Sequence, residues 1–543
     1  MDKLVRSVIC VSDLDLDYIK DICERAVNVY RELREGNPRK FVNYLTGEKC
    51  DLIFSQESTR TYSSFEDAFH MLGAGSIVGF RSAGESSMQK GESIYHTVDT
   101  FVGQGSGSRF IVMRHAAEGS AKWARVSAFR SFAKKVREYA KEYYSYPDNL
   151  IFPIIFNGGD GKHSHPSQLL LDCATIYHKF GRITDLDFGE CNDIGGSRVV
   201  SSHIDAASTL NWRMHTSSFP DAGLSLRQKY RILKSGIRAM EYDSVKEMLP
   251  NLDLLYVNRY QFNLRGAGTG DFAADIFSNK HPRISLSLVK PHRLPVFHAR
   301  PIDKNAQEIT PDLYDHPLDC SGVQSDLGVP TRMAMCMHAI DNLMFSLEGI
   351  IRSFDPEELS FYRKDLSGRA PKIIEEERYT TARIHNGYVI DHIPRGCGGV
   401  ISNLMSKLFP DIQVVLSMNV RGAYDTSIPK DVIKLHVPEN FKWDPILTNI
   451  VVLFTEYSAK KSCRVSRFAE GVRVEKWAYR TRIEGGDRCI NKACITRNEY
   501  NENIVFLHRL EKVGGTTVKV CPYCETPQDP ELLEGLEREM MNR

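Results

Sequence analysis

Apolar positions repeat at helical spacing near the start of the chain. Leu16, Ile19, Cys23, Ala26, Tyr30 and Leu33 form one stripe, and Asp13 or Asp15 is placed to cap it. Short apolar runs follow at SIVGF (76–80), FIVMRH (110–115), FPIIFNGGDG (152–161), LDLLYVNRYQF (252–262) and RLPVFHARP (293–301), alternating with helical stretches such as SQLLLDCATIYHKF (167–180). Brief apolar runs that end in polar or Gly-rich loops and alternate with helices predict parallel α/β sheets. In such sheets ligands bind where the strands end. Arg114, His115, Asp160, Arg259 and His298 stand at those ends.

Residues 122–144 predict a basic amphipathic helix with Phe129, Phe132, Val136 and Tyr139 along one face. Residues 353–380 are charged and interrupted by Gly and Pro, which predicts a boundary or linker. After them YVIDHI (388–393), IQVVLSMNV (412–420), VIKLHV (432–437) and NIVVLFTEY (449–457) predict strands of a separate α+β module.

Composition narrows the class. A chain of 543 residues, 42% hydrophobic and 26% charged, can bury several cores. Its net charge of +1 produces no global field for nucleic acid or anionic membrane, so an anionic ligand must be caught by local arginine clusters. Most of the 13 cysteines stand singly in apolar stretches, the usage of reduced thiols. MDKLVRSVICVSDLDLD turns acidic too soon for a signal peptide, and no apolar run approaches the roughly 20 residues of a membrane span. A cytoplasmic protein is expected.

Four cysteines are not solitary. Cys489 and Cys494 are spaced C-x4-C, and Cys521 and Cys524 C-x2-C. Two short Cys turns joined by a hairpin supply the four soft ligands of tetrahedral zinc, with no coordination position left for substrate. One structural zinc per chain is expected, and no cofactor for catalysis.

Candidate chemistry lies upstream. Ser58-Thr59-Arg60-Thr61 at the mouth of a helix is an anion cradle: backbone N–H groups and hydroxyls hold oxyanions, and a guanidinium adds a forked charge. Ser86 to Glu92 (SSMQKGE) adds Lys90 in a polar loop, Arg114 and His115 end a strand, and a Gly-rich loop brings His165 and Gln168 one helical turn apart. Each alone is weak. Their order along the chain is the stronger sign.

With these segments the chain resembles the aspartate/ornithine carbamoyltransferase family, in its aspartate branch. The likeness rests on FSQESTRTYSSFEDAFHMLGAG, SSMQKGES, IVMRHAAEG, NGGDGKHSHPSQLLLD, LLYVNRYQ and GVPTRMAMCMHAI, across roughly residues 1–350. IHNGYVIDHIP, PKDVIK and the paired cysteines resemble the separate regulatory chain of the bacterial enzyme, which implies a fusion of the two polypeptides. The implied fold is two doubly wound parallel-sheet domains, then an α+β regulatory domain and a small zinc-binding β domain. The implied boundaries are 1–160 for carbamoyl phosphate, completed by a returning helix near 328–352; 161–327 for aspartate; 353–379 as linker; 380–483 regulatory; 484–530 zinc-binding; and 531–543 a charged tail.

The resemblance places carbamoyl phosphate on Ser58, Thr59, Arg60, Thr61, Arg114, His165 and Gln168, with Arg60, Thr61, Arg114 and His165 serving catalysis. Ser86 and Lys90 match positions that reach into a neighbouring subunit's site, so a catalytic trimer, or a dimer of trimers, is implied. Lys90, Arg198, Arg259 and Gln261 match aspartate-binding positions. Asp391, His392, Lys430 and Lys434 match contacts to nucleotide effectors such as CTP or ATP. Three departures stand out: Gln56 where the family has glutamate, Tyr62 where it has arginine, and His298-Ala299-Arg300-Pro301 where it has His-Pro-Leu-Pro. Two alternatives compete: transfer to another acceptor such as ornithine, and a non-catalytic zinc-ribbon binding protein, against which the near-neutral charge argues.

Overall fold

The computed structural model describes residues 7–103, 107–147, 150–259, 277–304, 306–343, 346–359, 361–365, 384–421, 429–456, 462–480, 488–499, 502, 504–531 and 535. Two parallel sheets carry the first part. Strands β1 (Lys49–Phe54), β2 (Ser76–Phe80), β3 (Phe110–His115) and β4 (Ile154–Asp160) are ordered β2-β1-β3-β4. Strands β5 (Asp187–Asn192), β6 (Arg213–Ser218), β7 (Ala239–Glu241), β8 (Leu254–Val257) and β9 (Val296–Phe297) are ordered β7-β6-β5-β8-β9. β3, β4 and β5 are buried almost throughout, as strands covered on both faces must be. The helix Leu16–Arg34 has the expected apolar face, and Asp15 is its cap, accepting from Tyr18 N at 2.9 Å. The helix Gly328–Asp341 returns to the first sheet, and its Met333 and Cys336 join the core of Ile19, Phe65 and Phe69.

A third sheet is antiparallel. It holds β10 (Tyr362–Asp365), β11 (Gly387–Pro394), β12 (Gln413–Val420), β13 (Lys430–His436), β14 (Arg464–Ala469) and β15 (Val472–Arg480) in the order β10-β15-β14-β11-β13-β12. β10 falls inside the stretch read as a linker. One expected strand is a helix instead: Pro445–Phe454 takes the apolar run at 449–457. Pro at the first helical position and an Asp444 side-chain cap start it, and Leu447, Ile450, Val451 and Phe454 then pack into the core beneath the sheet. A short run of apolar residues does not by itself separate a buried helix from a buried strand. β16 (Arg509–Val513) and β17 (Thr516–Val520) form a separate hairpin.

The basic helix Ser120–Tyr143 joins the two halves. Phe129, Phe132 and Val136 are buried as expected, in one core with Ile390, Ile401 and Ile450 of the antiparallel module. Tyr139 is half-buried instead and packs its ring on Tyr143 at 4.6 Å. Phe129 lies 4.9 Å from the Phe354 ring and 5.6 Å from Phe361. Phe129→Ala is expected to cost about 3–5 kcal/mol through cavity formation. Urea denaturation checks this, and a loss below about 1 kcal/mol would contradict the packing described.

Candidate active site

Elements from both parallel sheets converge at the carboxyl ends of their strands. After β1 the chain enters the helix Thr59–Met71, and Ser58 sits at its N-cap without a side-chain capping bond. The first-turn N–H groups and the Ser58 and Thr59 hydroxyls are thus left to a ligand. Thr61 is buried, and Arg60 on the same turn makes no ion pair or hydrogen bond among the described residues. Tyr62 packs edge-on to Phe54, and Arg81 lies over its ring at 4.6 Å.

Arg114 ends β3 and is buried. Its Nη1 donates to the Gly158 carbonyl at 2.8 Å and lies 3.5 Å from His165 Nε2. Burial, and then the charge of Arg198, hold its guanidinium well below the ordinary pKa. His165 caps the helix Pro166–Phe180 and is anchored to the helix Arg198–Leu210, its backbone N donating to Ser202 Oγ at 2.9 Å. Burial, followed by Arg198, Arg114 and Arg332, pushes the imidazole well below its usual value, so it is neutral at physiological pH. Gly159, at φ 112°, lies so close that a Cβ would stand 2.9 Å from Arg114 Nη1 and 3.2 Å from His165 Cδ2. Arg332, on the returning helix, was not singled out from sequence as a site residue; the motif GVPTRM contained it.

Across the cleft Arg198 opens the helix Arg198–Leu210. Its Nη1 donates to Gln56 Oε1 at 3.0 Å and to the Gly161 carbonyl at 3.1 Å. Gln56 thus meets Arg198 as a neutral amide. Burial lowers Arg198 to about 10, against the pull of Asp160. Arg259 follows β8 and pairs with Asp303 at 3.6 Å. Gln261 lies outside the described residues.

The turn after β9 completes the site. His298 is buried, the Arg300–Pro301 peptide is cis, and Arg300 N donates to His298 Nδ1 at 2.9 Å. Arg300 Nε reaches Ser321 Oγ at 3.1 Å, with Asp319 3.6 Å from Nη2. His298 is lowered to about 3 by burial and then by Arg259, Arg300 and Arg60. Burial, then Arg300 and Arg259, likewise lower Arg60. Three guanidiniums thus share one region, and two of them depress Arg60, the signature of a site built to take up negative charge. Gln168 joins this wall through Asp172, to which its Nε2 donates at 2.8 Å. Ser86 and Lys90 belong to a separate short turn, Ser87–Lys90, where Ser86 Oγ accepts from Met88 N at 3.3 Å. Neither is bonded to the Arg60–Arg114–His165 group within this chain.

The cysteine cluster lies near this cleft. Cys489, Cys494, Cys521 and Cys524 are buried with their Sγ atoms all within 4.8 Å of one another. Cys489–Cys524 and Cys494–Cys521 are 3.6 and 3.8 Å apart. A zinc tetrahedron with arms of about 2.3 Å has edges of about 3.8 Å, so the donor set fits that metal. Thr496 Oγ1 and Gln528 Nε2 donate to ligand sulfurs at 3.2 and 3.4 Å. The module docks by backbone: Glu118 N donates to Ala493 O, and Ile495 N to Glu118 O, both at 2.9 Å. Gly119, at φ 82°, permits this approach, because a Cβ there would lie 2.8 Å from the Tyr523 carbonyl carbon. Asn491 Nδ2 reaches Glu118 Oε2 at 2.6 Å, and Glu525 lies 3.3 Å from His163, inside the Gly-rich loop.

On the antiparallel sheet, β13 sets Lys430 and Lys434 on one face, since alternate strand residues share a face. Lys430 Nζ pairs with Asp391 Oδ1 at 2.6 Å, and His392 Nδ1 lies 3.1 Å from Asp391 Oδ2. Asp391 is held far below the carboxylate range: His392 and Lys430 outweigh the opposing effect of burial. Arg464 pairs in register with Asp391. Lys476 is lowered by burial, then by Arg473 and Arg464, with Lys430 adding to them. Sequence reading missed Arg464 and Lys476, because only strand register brings them to this face.

The comparisons follow the same division. The sequence profile described as "Aspartate/ornithine carbamoyltransferase, carbamoyl-P binding domain" matches residues 6–178. The aspartate carbamoyltransferase catalytic subunit of Hyperthermus butylicus is 32% identical over 335 residues, covering 61% of this chain and 94% of the relative. That of Thermococcus gammatolerans is 32% identical over 338 residues, covering 62% and 97%. Among solved structures, the catalytic subunit of M. jannaschii aspartate transcarbamoylase superposes with a TM-score of 0.50 at 26% identity, covering 62% of this chain and 99% of that one.

Proposed function

This chain belongs to the aspartate/ornithine carbamoyltransferase family, and on that premise we propose that it transfers the carbamoyl group of carbamoyl phosphate to the amino group of L-aspartate. The products are N-carbamoyl-L-aspartate and phosphate, a step of de novo pyrimidine biosynthesis. The observation that carries the reading is the set of groups at the carboxyl ends of parallel strands: an uncapped helix N-terminus bearing Arg60 beside Arg259 and Arg300, and Arg114 against a neutral His165 beside Arg198. The lone pair of the α-amino group attacks the carbamoyl carbon, the carbon–oxygen bond to phosphate breaks, and the leaving phosphate takes the amine proton. Ser58, Thr59, Arg60 and Thr61 hold the phosphate, while Arg114 and His165 polarise the carbamoyl oxygen, with Gln168 beside them. No covalent intermediate is needed, because positioning and a preorganised field supply the catalysis.

Charge favours aspartate over ornithine. Arg259 and Arg300 stand beside Arg60, and Arg198 beside Arg114 and His165, so the acceptor enters a field of guanidiniums. Two carboxylates relieve that field, whereas an ornithine ammonium would meet it at a cost of several kcal/mol. A steady-state assay with carbamoyl phosphate and aspartate, ornithine or no acceptor, run with a native mass measurement, tests this. Transfer to aspartate alone, by a trimer or a dimer of trimers in which Ser86 and Lys90 enter a neighbouring copy's site, is the expected result. Transfer to ornithine alone would overturn it.

The cysteine module would hold one zinc ion as a structural staple. For the antiparallel module we propose a nucleotide-effector site on the Lys430, Lys434, Arg464 and Lys476 face, with Asp391 and His392 toward base and ribose. Four cations around one carboxylate suit a polyphosphate. CTP or ATP is expected to shift the aspartate saturation curve, and Lys430→Ala to remove the shift. An unchanged curve with both nucleotides would dismiss that site.

A further inference from the structure

Between the two substrate half-sites lies a chain of buried polar groups that the transfer reaction itself does not use. Asp172, Glu190 and His203 are all 0% exposed. His203 Nε2 is 3.0 Å from Asp172 Oδ2, and Nδ1 is 2.5 Å from Glu190 Oε1. Both ring nitrogens thus face carboxylate oxygens. A neutral imidazole carries one N–H and can satisfy only one of them, so this geometry calls for the doubly protonated ring. Phe188 and Tyr256 wall it in at 4.8 and 4.7 Å between ring centres.

From this imidazolium the bonds run both ways. Asp172 Oδ1 accepts from Gln168 Nε2 at 2.8 Å and from Gln324 Nε2 at 2.6 Å, and Gln324 Oε1 in turn takes the backbone N–H of His298 at 3.1 Å. Glu190 Oε2 accepts from Asn258 Nδ2 at 2.6 Å, and Asn258 Oδ1 accepts from Ser197 Oγ at 3.0 Å. Asn258 and Ser197 are the chain neighbours of Arg259 and Arg198. One arm therefore ends on the carbamoyl phosphate side, the other on the acceptor side.

We propose that His203 is a positioning residue whose imidazolium, clamped between Asp172 and Glu190, sets Gln168 and the Arg198–Arg259 pair in register with each other. The inference rests on the carbamoyltransferase reading of the cleft. Without the positive ring, two buried carboxylates would face each other through a neutral group, and one would take up a proton. Protonated on Oδ2, Asp172 would hold Gln168 and Gln324 through an uncharged carbonyl Oδ1, a weaker acceptor, and both half-sites would loosen.

Burial alone would lower His203, but Glu190 and Asp172 outweigh it and raise the ring to about 9. The ionisable groups around it are Asp172 from the helix Pro166–Phe180, Glu190 from β5 and Tyr256 from β8, with Arg332 near Asp172. A raised imidazolium is fully present below pH 6.5 and is lost as pH rises through about 9.

The test uses the full chain with His203→Gln and the double variant His203→Gln/Glu190→Gln. The single variant is expected to raise KM for both carbamoyl phosphate and aspartate about tenfold, with kcat changed less, as for lost ground-state positioning. The double variant removes one of the two facing carboxylates, returning the cluster to its net single negative charge, and is expected to recover most of both losses. Wild-type KM values in His203→Gln with only a lower Tm, or a double variant no better than the single one, would overturn the proposal. If the single variant does not fold, carbamoyl phosphate titration of the unmodified chain decides: Kd is expected to rise through about pH 9. A flat profile to pH 10 would overturn it. If the chain moves no carbamoyl group to aspartate, the functional reading falls separately, and calorimetry with carbamoyl phosphate still reads the Gln168 arm.

Discussion

Arg60→Ala is expected to lower kcat/KM for carbamoyl transfer by about 10²–10³ or more while the protein stays folded. The size follows from what Arg60 faces. It stands on the first turn of an uncapped helix and shares a region with Arg259 and Arg300 rather than with a carboxylate. Its charge is therefore held for a ligand, and the phosphate dianion that leaves in the transition state gains the most from it. The fold should be indifferent, because Arg60 makes no bond among the described residues. Unfolding free energy is expected to change by less than about 0.5 kcal/mol, as for a surface substitution. Activity assays and denaturation on the same preparations check both halves, and near-normal turnover in Arg60→Ala would dismiss the phosphate assignment.

Removing the metal is the second large effect. Structural zinc contributes on the order of 10–16 kcal/mol in small modules of this kind, and Cys521→Ser breaks its ligand set. The released contacts are specific: Asn491 leaves Glu118, and Glu525 leaves His163. Glu118 also receives Arg227 Nη1, and Arg227 Nη2 donates to the Lys162 carbonyl at 2.7 Å, next to the Gly161 carbonyl that anchors Arg198. The sequence alone predicts that chelation disturbs assembly or regulation before chemistry. The structure adds a direction, since the acceptor side adjoins the module. Cys521→Ser is expected to raise the aspartate KM severalfold while kcat changes less. A metal assay, native mass and saturation curves check this together. Abolished kcat in intact, fully assembled protein would contradict the division between staple and chemistry.

Much of this was legible in the residues. Parallel strands are apolar runs that stop at polar loops, so Arg114, Asp160 and His298 announced their places at strand ends. The cysteine spacings announced the cluster. What stayed hidden depends on contacts between distant segments. Arg332 and Arg300 enter the site from elements separated by more than 200 residues from Arg60. His203 reads as one more polar residue on an amphipathic helix, and only the approach of Asp172 and Glu190 gives it two carboxylates. Residues 449–457 misled because a fully buried helix and a buried strand carry the same apolar composition.

The most direct measurement places aspartate and ornithine at equal concentration in one tube with limiting labelled carbamoyl phosphate, and separates the two products. The ratio of labels is the ratio of kcat/KM values, read without knowing either constant. The arginine-lined cleft predicts label in N-carbamoyl-L-aspartate and essentially none in citrulline. Label divided evenly between them, or found in neither, would contradict the account.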